Sequence, residues 1–226
     1  METKWDAQNY TNNFKFVHKY GEAVTELITA DKGSFVVDVG CGNGALTKVL
    51  CDKGYDVIGI DSNAQMLEKA SSLYPDINFM LCDATEFELS KKADVIFSNA
   101  VFHWIDNQDK LVENLADNLK NGGQLVFEFG GKGCAKTVHA SLEKAFSDYG
   151  LTCHNDFNFK SIGEFAPILE KHGFRVEFAT LFDRPTAQIG DNGLENWINM
   201  FCDKAFENVD KDTKNNIIKN AVELCK

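Results

Sequence analysis

Apolar positions along the chain switch repeatedly between helical and strand spacing, and each switch marks an element. Val17, Tyr20, Val24, Leu27 and Ile28 recur at helical spacing and predict a helix over 14–30. Phe35-Val36-Val37-Asp38-Val39 is a short β-branched run ending at glycines, which reads as a buried strand. A helix over 44–53 follows, then a second strand at Asp56-Val57-Ile58-Gly59-Ile60. A helix over 63–73 is stopped by Pro75, and Ile77 to Leu81 is a third strand. Asp94 to Ser98 makes a fourth. Residues 107–119 form a helix with Asn121-Gly122-Gly123 as its C-cap signal, and Gln124 to Phe129 is a fifth strand.

This alternation predicts an α/β fold: a doubly wound, Rossmann-like, mostly parallel sheet with helices on both faces and right-handed crossovers. Helical patterns follow near 134–149, 161–172, 193–207 and 211–225, with a further strand over 174–182. There is no Pro/Gly-rich linker, repeat or low-complexity tract. The expectation is one domain over 1–226: an N-terminal helical lid (1–30), a cofactor-binding core (31–133), and substrate-side helices with a last strand (134–226).

Composition narrows the function. At 226 residues and 44% hydrophobic, the chain can bury one substantial core. A formal charge of −11 argues against a nucleic-acid substrate, which is normally met by a basic stripe. No apolar stretch reaches about 18 residues, so no membrane span is expected. Met1 to Asp6 holds no apolar core of a secretory signal. The seven cysteines are an odd count without a CxxC, which favours a reducing, cytoplasmic setting over a disulfide framework. The five histidines are scattered, and no metal site is expected.

Between the first strand and the next helix lies Asp38-Val39-Gly40-Cys41-Gly42-Asn43-Gly44. Glycines there let the backbone turn tightly and approach a ligand. Gly40, Gly42 and Ala45 also satisfy the dinucleotide pattern GxGxxG/A, and Asp61, at the end of the second strand, suits a ribose hydroxyl pair in either reading. Asp38 discriminates between them. A dinucleotide places a pyrophosphate here, which a buried carboxylate repels. S-adenosylmethionine instead brings an ammonium and a sulfonium, which a carboxylate attracts. Asp83, ending the third strand, is placed to accept a hydrogen bond from an adenine amino group, with Ala84 as a backbone donor; its other reading is the N-cap of the following turn.

Asp38 to Gly44, Gly59-Ile60-Asp61, Cys82-Asp83-Ala84 and Leu119 to Gly123 resemble, in order and spacing, the motifs of class I S-adenosylmethionine-dependent methyltransferases. Ser98-Asn99-Ala100-Val101-Phe102-His103-Trp104 is similar to the segment after the fourth strand in the trans-aconitate methyltransferase-like branch. Phe129 to Gly133, Phe182 to Thr186 and Asn196 to Phe201 resemble a prokaryotic part of that branch, so the resemblance covers nearly the whole chain. It implies cofactor contacts at Gly40, Cys41 (by backbone), Asp61, Ser62, Asp83, Ala84 and Asn99. It also implies a seventh, antiparallel strand. Nothing after residue 186 alternates as a strand, so six strands are expected, with the seventh missing.

The acceptor is less determined. Ser98-Asn99-Ala100-Val101 is neither the Pro-Pro-aromatic segment of nucleobase amine methylation nor the Pro-Cys of covalent cytosine chemistry, so a small molecule is expected. A carboxylate acceptor is already ionised at neutral pH, whereas a phenol, alcohol or ammonium needs a base. His103 reads as an orienter or base, or as a packing residue beside Trp104. Trp104 reads as a pocket wall or as core packing, Trp5 and Tyr10 as parts of a lid or as packing on the sheet edge, and Lys132 and Arg184 as cations for an acidic acceptor or as solvated or structural charges. Two alternatives stay open from the residues: an NAD-dependent oxidoreductase, and a non-catalytic S-adenosylmethionine-binding protein. A monomer or weak homodimer is expected.

Overall fold

Five strands run parallel in one sheet, in the order β3-β2-β1-β4-β5. The computed structural model describes residues 15–188, 190 and 192–225. The chain enters through α1 (Lys15–Thr25) and passes into β1 (Phe35–Val39), α2 (Ala45–Asp52), β2 (Asp56–Asp61), α3 (Ala64–Leu73) and β3 (Asn78–Leu81). It then crosses back to β4 (Ala93–Asn99), a single 3-10 turn (Phe102–Trp104), α4 (Gln108–Asn118) and β5 (Leu119–Glu128). Four more α-helices follow, α5 (Lys136–Asp148), α6 (Ile162–Lys171), α7 (Gly193–Phe201) and α8 (Lys211–Leu224), with a second 3-10 turn (Asp203–Phe206) between the last two.

Covered on both faces, the central strands need no polar alternation, and Val36, Val37, Val39, Val95, Ile96 and Phe97 are buried. One face packs on Phe87, Phe102, Leu111, Leu115 and Phe165, the other on Val24, Leu46 and Leu50. A third apolar cluster joins α5, α7 and α8 through Leu142, Phe146, Ile198 and Ile217. Helix starts follow the sequence: Asn63 caps α3 through Met66 N–H, and Ser161 with Glu164 forms a capping box on α6.

Strand order reverses between β1 and β4. In such sheets the crevice opens at the carboxyl ends of the strands flanking that reversal. The crevice here lies between Val39-Gly40 and Ser98-Asn99, and Ser98 Oγ donates to the Val39 carbonyl at 2.8 Å, holding the two strand ends together.

Two expectations need correction. No strand forms over 174–182, so the described residues hold five strands rather than six, and none follows Glu128. Phe174 and Val176 pack on the core, but 177–183 are exposed. The segment is tied to the edge strand by a side-chain pair, Arg184 to Glu128, instead of a backbone ladder. The second correction concerns Asn121-Gly122-Gly123. Helix α4 ends at Asn118, with Leu119 already extended, and the glycines lie inside β5. Gly122, at φ 76°, sits in the stretch between the Ala93–Leu119 and Val95–Gln124 pairings, where the register shifts.

Candidate active site

The turn after β1 is built on glycine geometry. Gly40, Gly42 and Gly44 all have positive φ (73°, 55° and 77°). A Cβ on Gly40 would lie 2.2 Å from Val101 Cγ2, so this turn packs directly against the chain leaving β4. Gly40 and Cys41 N–H groups both donate to the Ile60 carbonyl, at 2.8 and 2.9 Å. Asp61 completes the fastening: its Oδ2 accepts from Gly42 N–H and its Oδ1 from Asn63 N–H, each at 2.8 Å. A single carboxylate thus orders both the glycine turn and the start of α3.

Asp38 lies beneath the turn, 2% exposed, with Thr47 Oγ1 donating to Oδ2 at 2.6 Å. Burial pushes its carboxyl up to about 7; the Thr47 bond opposes that and the Asp61 charge adds to it. Burial raises Asp61 as well. Two carboxylates converging on one turn make a site whose electrostatics improve when a cation arrives. Cys41 is buried, and burial together with Asp38 and Asp61 holds its thiol far above the usual range, so it is no nucleophile.

Asp83, after β3, accepts at Oδ1 from both Thr85 N–H and Thr85 Oγ1, at 2.7 Å. This is the local turn-capping role; Oδ2 retains its capacity to accept. Ser62 is exposed beside Asp61. On the β4 side, α1 reaches the crevice: a Cβ on Gly21 would lie 2.9 Å from Asn99 Cγ. Ala100 takes φ 60°, a left-handed conformation unusual outside glycine, while its N–H donates to the Glu128 carbonyl at 2.7 Å.

His103 is 8% exposed, and its Nδ1 accepts from Gly130 N–H at 3.1 Å. Burial pulls it down to about 3, so the ring is neutral. With Nδ1 accepting, the ring proton sits on Nε2, and the imidazole is a donor there. Aromatic rings enclose it: Trp104 at 5.3 Å, Phe159 at 5.5 Å, Phe157 at 5.9 Å and Phe129 at 6.4 Å. Trp104 lies against Phe157 at 4.4 Å and Phe201 at 6.3 Å.

The two cations expected for an acidic acceptor are both engaged. Arg184 forms a two-pronged pair with Glu128, at 2.6 and 2.5 Å, and its guanidinium lies 4.3 Å over the Tyr20 ring. Exposed Lys132 sits 3.7 Å from Glu164. Trp5 and Tyr10 lie outside the described residues. Sequence reasoning missed Thr47, the Gly130 amide, Glu128 and the phenylalanine wall. The wall had a signal, since Phe157 and Phe159 alternate within the polar stretch 152–160.

Residues 37–127 match the family described as "Methyltransferase domain". The chain is 31% identical to an uncharacterized methyltransferase of Schizosaccharomyces pombe, over 89% of this chain and 81% of that protein. It is 36% identical to a trans-aconitate 2-methyltransferase of Agrobacterium fabrum, over 55% of this chain and only 49% of the relative. Among solved structures, the crystal structure of a Bacillus halodurans protein described as a methyltransferase aligns with TM-score 0.64, at 18% identity, over 88% of this chain and 82% of that one; this likeness is one of fold. No described helix is long and apolar enough to cross a membrane.

Proposed function

Given that the chain belongs to the class I S-adenosylmethionine-dependent methyltransferases, we propose that it transfers a methyl group to the carboxylate of a small molecule. The cofactor is S-adenosylmethionine, and the nicotinamide alternative gives way. The residues fit this cofactor, because the converging carboxylates Asp38 and Asp61 favour a cationic ligand over a pyrophosphate.

In this reading Gly40, Cys41, Gly42, Asn43 and Gly44 hold the cofactor through the turn's backbone. Asp38 and Asn99 meet its charged amino-acid end, Asp61 and Ser62 its ribose, and Asp83 and Ala84 its adenine. When bound, S-adenosylmethionine supplies a methyl group on a sulfonium, so the protein has to align a nucleophile with it and keep water away. Trp104, Phe129, Phe157 and Phe159 are the water-excluding wall.

One observation carries the choice of acceptor: Gly130 N–H on His103 Nδ1. It leaves Nε2 as a donor, and burial keeps the ring from taking up a proton near neutral pH. His103 is therefore suited to hold an oxyanion and unsuited to deprotonate a phenol, alcohol or ammonium. A carboxylate needs no base. The Agrobacterium relative, named for trans-aconitate, supports an acid acceptor. The test is the pH dependence of kcat with a carboxylic acid acceptor. With saturating cofactor, whose cation keeps Asp38 ionised, a flat profile from about pH 5.5 to 8.5 is expected, since no group at the acceptor must lose a proton. A rise with the slope of one ionising group would point to base catalysis instead.

A further inference from the structure

We propose that His139 is a second acceptor-binding residue, whose Nε2 meets a terminal hydroxyl at the end of the acceptor remote from the methylated carboxylate. The acceptor class is then a small hydroxy acid with an apolar body. The inference rests on the reading of His103 as the group that holds the carboxylate.

His139 lies in the first turn of α5, just beyond β5. Its Nε2 is buried and has no hydrogen-bond partner among the described residues. A buried polar atom left in that state is destabilising, and a ligand that bonds it removes the penalty. The ring faces Phe157 at 5.3 Å and Phe159 at 5.8 Å. These same two rings face His103, and they stack on each other at 4.9 Å and 9°. Two imidazoles therefore border a single aromatic stack, two polar points beside a surface suited to an apolar body.

A cavity of about 20 Å3 opens at His139, with Cys153, Phe157, Phe201, Cys202 and Lys204 in its lining. That volume admits one oxygen-sized group and no more, so the end of a molecule enters it and the body stays outside. Phe157 and Phe201 are walls of this cavity and also neighbours of Trp104, which joins it to the cluster around His103. The charge balance selects the oxygen. Burial lowers His139 from its ordinary value while the nearby Glu143 charge opposes this, so the neutral ring is favoured, and Lys204 is paired with Asp156 at 3.0 Å. A neutral imidazole nitrogen is matched by a hydroxyl, which both donates and accepts; a second carboxylate would need an uncompensated cation.

The test compares straight-chain carboxylic acids with the same chains carrying a terminal hydroxyl or a second carboxyl, as acceptors for the wild type, H139F and H139Q. In the wild type the hydroxy acid is expected to show a KM lower than that of the plain acid by about tenfold. H139F should erase that advantage while kcat on the plain acid and calorimetric affinity for S-adenosylhomocysteine stay within about twofold; H139Q should restore part of it. Equal KM values for hydroxy and plain acids, preference for the diacid, or an advantage that survives in H139F would each overturn the assignment. If S-adenosylhomocysteine binds but no acid is methylated, the carboxylate reading falls and this inference with it. Methylation of plain acids without a hydroxyl preference overturns the His139 role alone.

Discussion

The backbone nitrogen of Gly130 and Nδ1 of His103 are 3.1 Å apart, and this bond fixes which nitrogen of the imidazole is a donor. It connects the chain leaving β5 to the turn after β4. Replacing His103 by Phe keeps the ring's packing and removes the donor. Loss of a hydrogen bond to a charged acceptor is worth about 1.5–3 kcal/mol, so kcat/KM on the acid should fall by about 10- to 150-fold. Steady-state kinetics beside calorimetry with S-adenosylhomocysteine check this; cofactor affinity should hardly change.

Asp38 and His103 are buried titratable groups with opposing linkage. Asp38 has its folded value raised to about 7, so its contribution is full below its ordinary 3.8 and is lost as pH rises toward 7. His103 has its folded value lowered to about 3, so its contribution is full above its ordinary 6.5 and is lost as pH falls toward 3. Between about pH 4 and 6.5 the two slopes cancel, each being about 1.4 kcal/mol per pH unit. Denaturant melts of H103F should therefore show stability rising as pH falls through that window. D38N should show the reverse trend. Parallel profiles for both variants and the wild type would contradict the assignment.

Asp61 bonds Gly42 N–H and Asn63 N–H at once. D61A should loosen the glycine turn and remove the proposed ribose contact together. A weakening of S-adenosylhomocysteine binding by about 1–3 kcal/mol is expected by calorimetry. Unchanged affinity would remove Asp61 from the cofactor site.

Gly40 combines a left-handed backbone with contact against Val101. G40A should lower stability by about 1–3 kcal/mol from backbone strain, with the Val101 overlap added. In the double variant with V101A the overlap is relieved and the strain persists. Thermal unfolding should therefore show partial, not full, recovery.

Much of the fold was legible because central parallel strands are short, largely apolar runs bounded by turn residues: Phe35–Val39 and Asp56–Asp61 appear where the pattern places them. Residues 174–182 misled because apolar and polar residues alternate there as in a strand, while pairing depends on a partner the local sequence does not specify. Asn121-Gly122-Gly123 misled for a related reason: glycines that end a helix and glycines that bend a strand look alike until the register is known. In the candidate site, Asp38 and Asp61 were legible from their places at strand ends. The tautomer of His103 was not, since it depends on the Gly130 amide, which is close only in the folded chain.

The most direct test of the central claim is mass detection of products from S-adenosylmethionine incubated with the protein and a panel of small carboxylic acids, phenols and amines. The account predicts methyl esters of acids, formed one for one with S-adenosylhomocysteine, and no methylated phenol or amine. Methylation confined to phenols or amines would contradict it, because either acceptor requires a base that the neutral, Nε2-protonated His103 does not supply.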